Sequence, residues 1–127
     1  MQNDPTETLI RRYFETFASA DRNEAEKIIA DDFTFTSPLD NHIDRKTYFE
    51  RCWPLAGTFA GHDLKEVFTK GEECFVTYDA SNKDGENFRN TELFRVRNGQ
   101  IHSVEVFFGL PKNTKPKIPR QADYSPH

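Results

Sequence analysis

Asn87-Phe88-Arg89-Asn90-Thr91-Glu92-Leu93-Phe94-Arg95-Val96-Arg97, then Asn98-Gly99, then Gln100-Ile101-His102-Ser103-Val104-Glu105-Val106-Phe107-Phe108-Gly109, is the stretch that decides the fold. Two extended arms flank Asn-Gly, the strongest short hairpin signal, because both turn positions need φ > 0. In the first arm Phe88, Asn90, Glu92, Phe94 and Val96 share one face. Three of the five are apolar, so this face is expected to look inward, carrying Asn90 and Glu92 with it. A buried carboxylate is costly unless it is neutral or paired. Glu92 is therefore the place where the chain gives up stability for chemistry.

The rest of the chain sets the context for that hairpin. At 127 residues it is long enough for a single core, and twelve phenylalanines compensate for an apolar fraction of only 35%. A net charge of −4 argues against a nucleic-acid binder, which would present a basic face. No apolar run approaches the ~20 residues of a membrane span. Met1-Gln2-Asn3-Asp4 has neither the basic nor the apolar segment of a secretory signal. Cys52 and Cys74 stand in no metal or redox spacing and read as reduced thiols of a cytoplasmic protein.

Upstream, Asp4-Pro5-Thr6-Glu7 reads as a helix start, with Glu7 at the capping-box position. Leu9, Ile10, Tyr13, Phe14, Phe17 and Ala18 then recur at helical spacing. Asp21 caps a shorter helix that Asp31-Asp32 ends. Phe33 to Ser37 alternates as a short strand stopped by Pro38, and Asp40-Asn41-His42-Ile43 reads as loop. Asp44 caps a third helix carrying Tyr48, Phe49, Cys52 and Trp53, which Pro54 ends. The period then changes to two, with strands from His62 to Lys70 and from Cys74 to Ala80 ahead of the hairpin. Helices first and a mostly antiparallel sheet afterwards predict an α+β domain over residues 1–110. Residues 111–127 form a Pro-rich tail with four basic residues and one acidic, against 13 basic and 20 acidic before it. The tail reads either as solvated or as lying along an acidic neighbouring surface.

This order resembles the cone-shaped fold of the nuclear-transport-factor-2-like superfamily, and within it the ketosteroid-isomerase-like and polyketide-cyclase-like (SnoaL-like) branch. Arg12-Tyr13 leads at family spacing into Ala30-Asp31-Asp32-Phe33-Thr34-Phe35-Thr36-Ser37-Pro38, which looks like the isomerase segment where the catalytic aspartate precedes a proline. Gly99 to Val104, then Phe107-Phe108-Gly109 and Lys112-Asn113, looks like its last strand and exit. The resemblance covers about residues 9–113. It implies that Tyr13 falls on the oxyanion-hole tyrosine and Glu92 near the protonated aspartate beside it, after a one-residue gap. An acid kept neutral in this way donates a hydrogen bond to a developing enolate oxygen. Phe108 falls on a pocket aromatic, and Trp53, Tyr78 and Asn90 are expected to line the same cavity. Ser37 occupies the position of the general base, and a hydroxyl cannot hold a proton near neutral pH without a partner. Asp40 and His42 could form a base pair at the cone's mouth.

Each residue also has a structural reading. Tyr13 and Trp53 can be core aromatics, and Glu92 can pair with an arginine across the sheet. Glu105 shares register with Ile101, Ser103 and Phe107, on the side where the resemblance implies a homodimer through the sheet. His62 and His102 lack partners at ligand spacing, so no metal is expected, and no cofactor is implied. The leading expectation is a pocket for a small apolar cyclic carbonyl or hydroxyl compound. If it is catalytic, the reaction is proton transfer next to a carbonyl, or a related isomerisation, cyclisation or dehydration, with Tyr13 and Glu92 as donors. The alternatives are a non-catalytic dimeric binding module and protein recognition through the sheet.

Overall fold

The computed structural model describes residues 4–109, so the tail lies outside the described residues. Within these, three α-helices and a six-stranded curved sheet build an α+β cone. Helix α1 (Pro5–Ser19) starts where Asp4 Oδ1 accepts the amides of Thr6 and Glu7. The Glu7 side chain turns instead to Arg11, one helical turn on, at 2.9 Å. Helix α2 (Arg22–Ile28) is capped by Asp21, whose Oδ1 accepts from the Glu24 amide. In helix α3 (Arg45–Arg51) Asp44 accepts from the Thr47 amide, and a 3-10 turn at Trp53–Leu55 follows at Pro54.

The strands are β1 (Ile29–Ser37), β2 (Asp40–Asp44), β3 (Phe59–Lys70), β4 (Glu73–Asn82), β5 (Asn87–Arg97) and β6 (Gln100–Phe107), in the order β2-β1-β6-β5-β4-β3. All neighbours are antiparallel except β1 and β6. Asn98 and Gly99 have φ of 53° and 75°, the pair of positive values the hairpin reading requires. The inward face of β5 is the expected one, with Asn90, Glu92, Phe94 and Val96 buried.

Three local expectations are corrected. β1 begins at Ile29, directly after α2, so Asp31 and Asp32 lie within the strand, exposed. Asp32 is held there by Arg97 at 2.5 Å. Asp40 to Ile43 is not a loop but most of β2, folded back on β1 with Phe35 opposite Ile43 and Ser37 opposite Asp40. As a short polar edge strand it lacks the alternation by which strands are read. In β6, Arg95 pairs with Ser103 and Val96 with Ile101, so a bulge at His102 interrupts the period of two. Ile101 therefore faces the core with Val104 and Val106, while Glu105 and Phe107 point outward.

The core lies between the helices and the inner sheet face. Ile10, Phe14, Ala25, Phe33, Tyr48, Val76, Phe94 and Val104 belong to it. After β6 the chain presses onto β5. A Cβ at Gly109 would stand 1.8 Å from the Arg89 carbonyl oxygen, so glycine is needed there for close approach.

Candidate active site

A cavity of about 190 Å³ opens between the helices and the sheet. Helix α1 supplies Tyr13, Phe14 and Phe17, and α3 supplies Tyr48. The sheet supplies Phe35 and Ser37 from β1, Asp40 from β2, His62 from β3, Tyr78 from β4, and Asn90 and Glu92 from β5. Phe108 joins the lining where the chain leaves β6. The period of two explains the sheet contribution: Tyr78 pairs with Asn90 and Val76 with Glu92, so these side chains stand on one face of neighbouring strands.

Two hydroxyl pairs organise the polar part. Tyr13 Oη and Tyr48 Oη lie 2.8 Å apart, both residues buried. Tyr78 Oη donates to Glu92 Oε2 at 2.6 Å and accepts from Asn90 Nδ2 at 3.1 Å. Asn90 Oδ1 in turn accepts the Gly109 amide at 3.0 Å, which ties the chain exit beside Phe108 to the same network. Glu92 is 6% exposed, and its Oε1 has no hydrogen-bond partner. Among the described residues no cation pairs with it, so the cross-sheet arginine pairing does not form. Burial pushes the Glu92 carboxyl up to about 7, against a smaller downward pull from the Tyr78 hydroxyl. Burial likewise raises Tyr13, Tyr48 and Tyr78, with the nearby Glu92 adding to each, so all three remain donors.

At the mouth, Ser37 Oγ accepts the Leu39 amide at 3.1 Å and donates to Asp40 Oδ2 at 3.3 Å. Arg51 Nη1 stands 2.8 Å from Asp40 Oδ1 and forms an ion pair with it. Cys52 is beside them, its thiol pushed up to about 11 by burial and then by Asp40. His62 sits among the rings of Phe14, Phe17, Phe59 and Tyr78. Its Nδ1 is buried without a partner, and burial lowers its pKa.

The structure thus brings Tyr13, Glu92, Ser37, Tyr78, Asn90 and Phe108 to one cavity. Tyr13 and Glu92 each bond another tyrosine rather than each other. Trp53 is not in the lining; it packs behind the wall, 5.5 Å from both Phe17 and Phe49. The Asp40–His42 pair is not formed, since Arg51 and Ser37 hold Asp40 while His42 is exposed with φ of 50°. Sequence reasoning missed the roles of Tyr48 and His62. Tyr48 was legible only as a core position of α3, and its hydroxyl meets Tyr13 across 35 residues of chain. Among the described residues no group of three or more His, Cys, Asp or Glu side chains is placed to hold a metal ion.

Comparison with known proteins adds a family. Residues 10–104 match the family model of the SnoaL-like domain. A protein from Kribbella flavida, provisionally assigned as a ketosteroid isomerase, shares 18% identity over 97% of this chain and 90% of its own, with a TM-score of 0.73. An NTF2-like protein of unknown function from Cytophaga hutchinsonii shares 19% identity over 85% and 92%, with a TM-score of 0.68. A de novo designed protein with a curved β-sheet shares 13% over 85% and 88%, at 0.72. These likenesses describe the fold, and a fold does not by itself fix an activity. A comparison with curated proteins found no match. The family model spans most of the chain, and the fold is shared with NTF2-like proteins: the chain belongs to the SnoaL-like domain family.

Proposed function

We propose that the cavity binds a small cyclic compound through a ring-bound carbonyl or hydroxyl oxygen, as a ketosteroid-isomerase-like site for proton transfer next to a carbonyl. The observation that carries this reading is Glu92, buried with an unpartnered oxygen in the same cavity as the Tyr13–Tyr48 pair. A carboxyl that is neutral below about pH 7 can donate where a carbonyl oxygen gains charge, and a buried polar group without a partner favours a ligand that supplies one. Size narrows the class. An apolar cavity of ~150 Å³ holds benzene, so about 190 Å³ suits one ring rather than a fused four-ring skeleton. Cyclohexanone and phenol are the probes of choice. Binding of either that is abolished by the Tyr13→Phe, Glu92→Leu double change, which removes both donors, supports the reading. Unaltered binding in that double variant rules it out.

A second reading concerns assembly and is favoured by the outer sheet face. Phe75 and Phe107 are 48% exposed and Phe68 is 66% exposed. Phe68 faces Phe75 across β3 and β4, and Phe75 faces Leu93 across β4 and β5. Such a patch supports a homodimer through the sheet, in which the cavity is a binding site with or without catalysis. Sedimentation should give twice the chain mass for the native protein and a single chain mass for Phe75→Glu; a monomer in both removes this reading. The free thiols of Cys52 and Cys74 fit a reducing compartment such as the cytoplasm.

A further inference from the structure

We infer that His62 sets the ligand class of this cavity: a ring ketone that also carries a hydroxyl on the ring carbon opposite the carbonyl. The inference rests on the carbonyl-binding reading above and deepens it by assigning the other end of the ligand.

The argument starts from an imidazole with nothing to bond. His62 lies on β3, paired with Ala80 of β4, and its half-buried side chain lines the cavity. The ring packs among Phe14, Phe17, Phe59 and Tyr78, with centroids 5.2 to 6.1 Å away. A histidine held inside for packing alone has its polar atoms bonded as a rule. Here Nδ1 is enclosed without a partner, which leaves Nε2 as the nitrogen able to reach the open part of the cavity.

The surroundings select what Nε2 can take. Burial alone acts on the ring and favours its neutral form. A neutral imidazole carries its proton on one nitrogen or the other, and a hydroxyl, which both donates and accepts, bonds Nε2 in either case. A carboxylate or an ammonium group would lose its water among these rings and gain no opposite charge from His62.

The sheet fixes where that hydroxyl must sit. Glu92 pairs with Val76 and His62 with Ala80, so the two residues stand on β5 and β3 with β4 between them. At ~4.8 Å per strand, β3 and β5 lie about 10 Å apart. Tyr78 spans the interval: its hydroxyl bonds Glu92, and its ring lies 5.2 Å from that of His62. Phe14, 5.1 Å from Tyr78 and 5.6 Å from His62, makes the wall between them apolar and suited to ring carbons. A ligand oxygen held at Glu92 therefore leaves His62 to a second group, at the far end of the ring.

The test compares 4-hydroxycyclohexanone with cyclohexanone and with 4-methylcyclohexanone, which matches its size without a hydroxyl. Dissociation constants are measured by ligand-observed NMR at pH 6.5, below the Glu92 titration and above that of His62. The native protein should bind the hydroxy ketone at least fivefold more tightly than either of the others. His62→Phe keeps an aromatic ring and removes both nitrogens. In it the ratio of the hydroxy ketone to the methyl ketone should fall to within twofold of unity, and His62→Gln, whose amide can bond a hydroxyl, should recover part of the preference. Ratios are taken within each protein, so a general change in affinity cancels. A native preference under fivefold overturns the inference, as does a fivefold preference that survives His62→Phe. Cyclohexanone binding with no gain from the hydroxyl strikes the His62 assignment alone. If none of the three ketones binds, the failure is that of the carbonyl-binding reading, and the assignment falls with it.

Discussion

Tyr78 Oη donates to Glu92 Oε2 across 2.6 Å, from the middle of β4 to the middle of β5, and leaves the other carboxyl oxygen without a partner. The bond favours the ionised carboxylate, yet burial outweighs it and the carboxyl titrates at about 7 rather than 4.5. Glu92 therefore binds its proton more tightly in the folded chain than in the unfolded one.

The sign of the pH dependence follows. Between pH 4.5 and about 7 the folded state holds the proton that the unfolded state has released, so this group's contribution to stability falls as pH rises. It is fully present below 4.5 and gone above about 7. At about 1.4 kcal/mol per pH unit, the difference is roughly 3 kcal/mol. Glu92→Gln has no such titration. Urea denaturation at pH 5 and pH 8.5 should therefore show the variant gaining on the native protein at the higher pH.

The Tyr13–Tyr48 contact predicts coupling. Removing one hydroxyl leaves the other buried and unpaired at a cost of about 1–2 kcal/mol, whereas removing both leaves neither. Tyr13→Phe and Tyr48→Phe should each destabilise the protein, and the double variant should lose less than their sum. Strict additivity in denaturant melts would contradict the contact.

Gly109 predicts a steric effect at a distance from the hydroxyl pairs. In Gly109→Ala the new methyl meets the Arg89 carbonyl, so the chain exit must lift and Asn90 Oδ1 loses its amide donor. A loss of about 1–3 kcal/mol is expected in thermal melts. The same displacement should change cyclohexanone affinity, because Phe108 is part of the cavity wall.

The fold was legible where chemistry is local. Asn98-Gly99 dictates its own turn, Asp4, Asp21 and Asp44 cap the helices that follow them, and the alternation of β5 put Glu92 inside. What the sequence could not carry is depth and partnership. Trp53 lies one layer behind Phe17, and periodicity reports a face but not a layer. The bulge at His102 moves Ile101 to the core without any glycine to mark it. β2 is polar and stands at the sheet edge, so nothing in its pattern distinguishes it from a loop, and with it the placement of Asp40 opposite Ser37 stayed hidden. Tyr48 meets Tyr13 only after the chain has folded back on itself.

A cap away from the site provides a contrast. Asp4 accepts the Thr6 and Glu7 amides and also the Thr69 hydroxyl at 2.6 Å. Asp4→Ala should cost about 1 kcal/mol in denaturant melts while cyclohexanone affinity stays unchanged.

The account turns on a neutral Glu92 offering a proton to a ring-bound carbonyl, and cyclohexanone, which only accepts hydrogen bonds and does not ionise, tests this directly. Its dissociation constant should be measured by ligand-observed NMR from pH 5.5 to 8.5 for the native protein and Glu92→Gln. The account predicts native affinity that weakens by about tenfold per pH unit once pH passes the Glu92 titration near 7, until the remaining contacts set a floor. The amide of the variant donates at every pH, so its affinity should stay flat. A native affinity that does not change with pH, or no binding at any pH, would contradict the account.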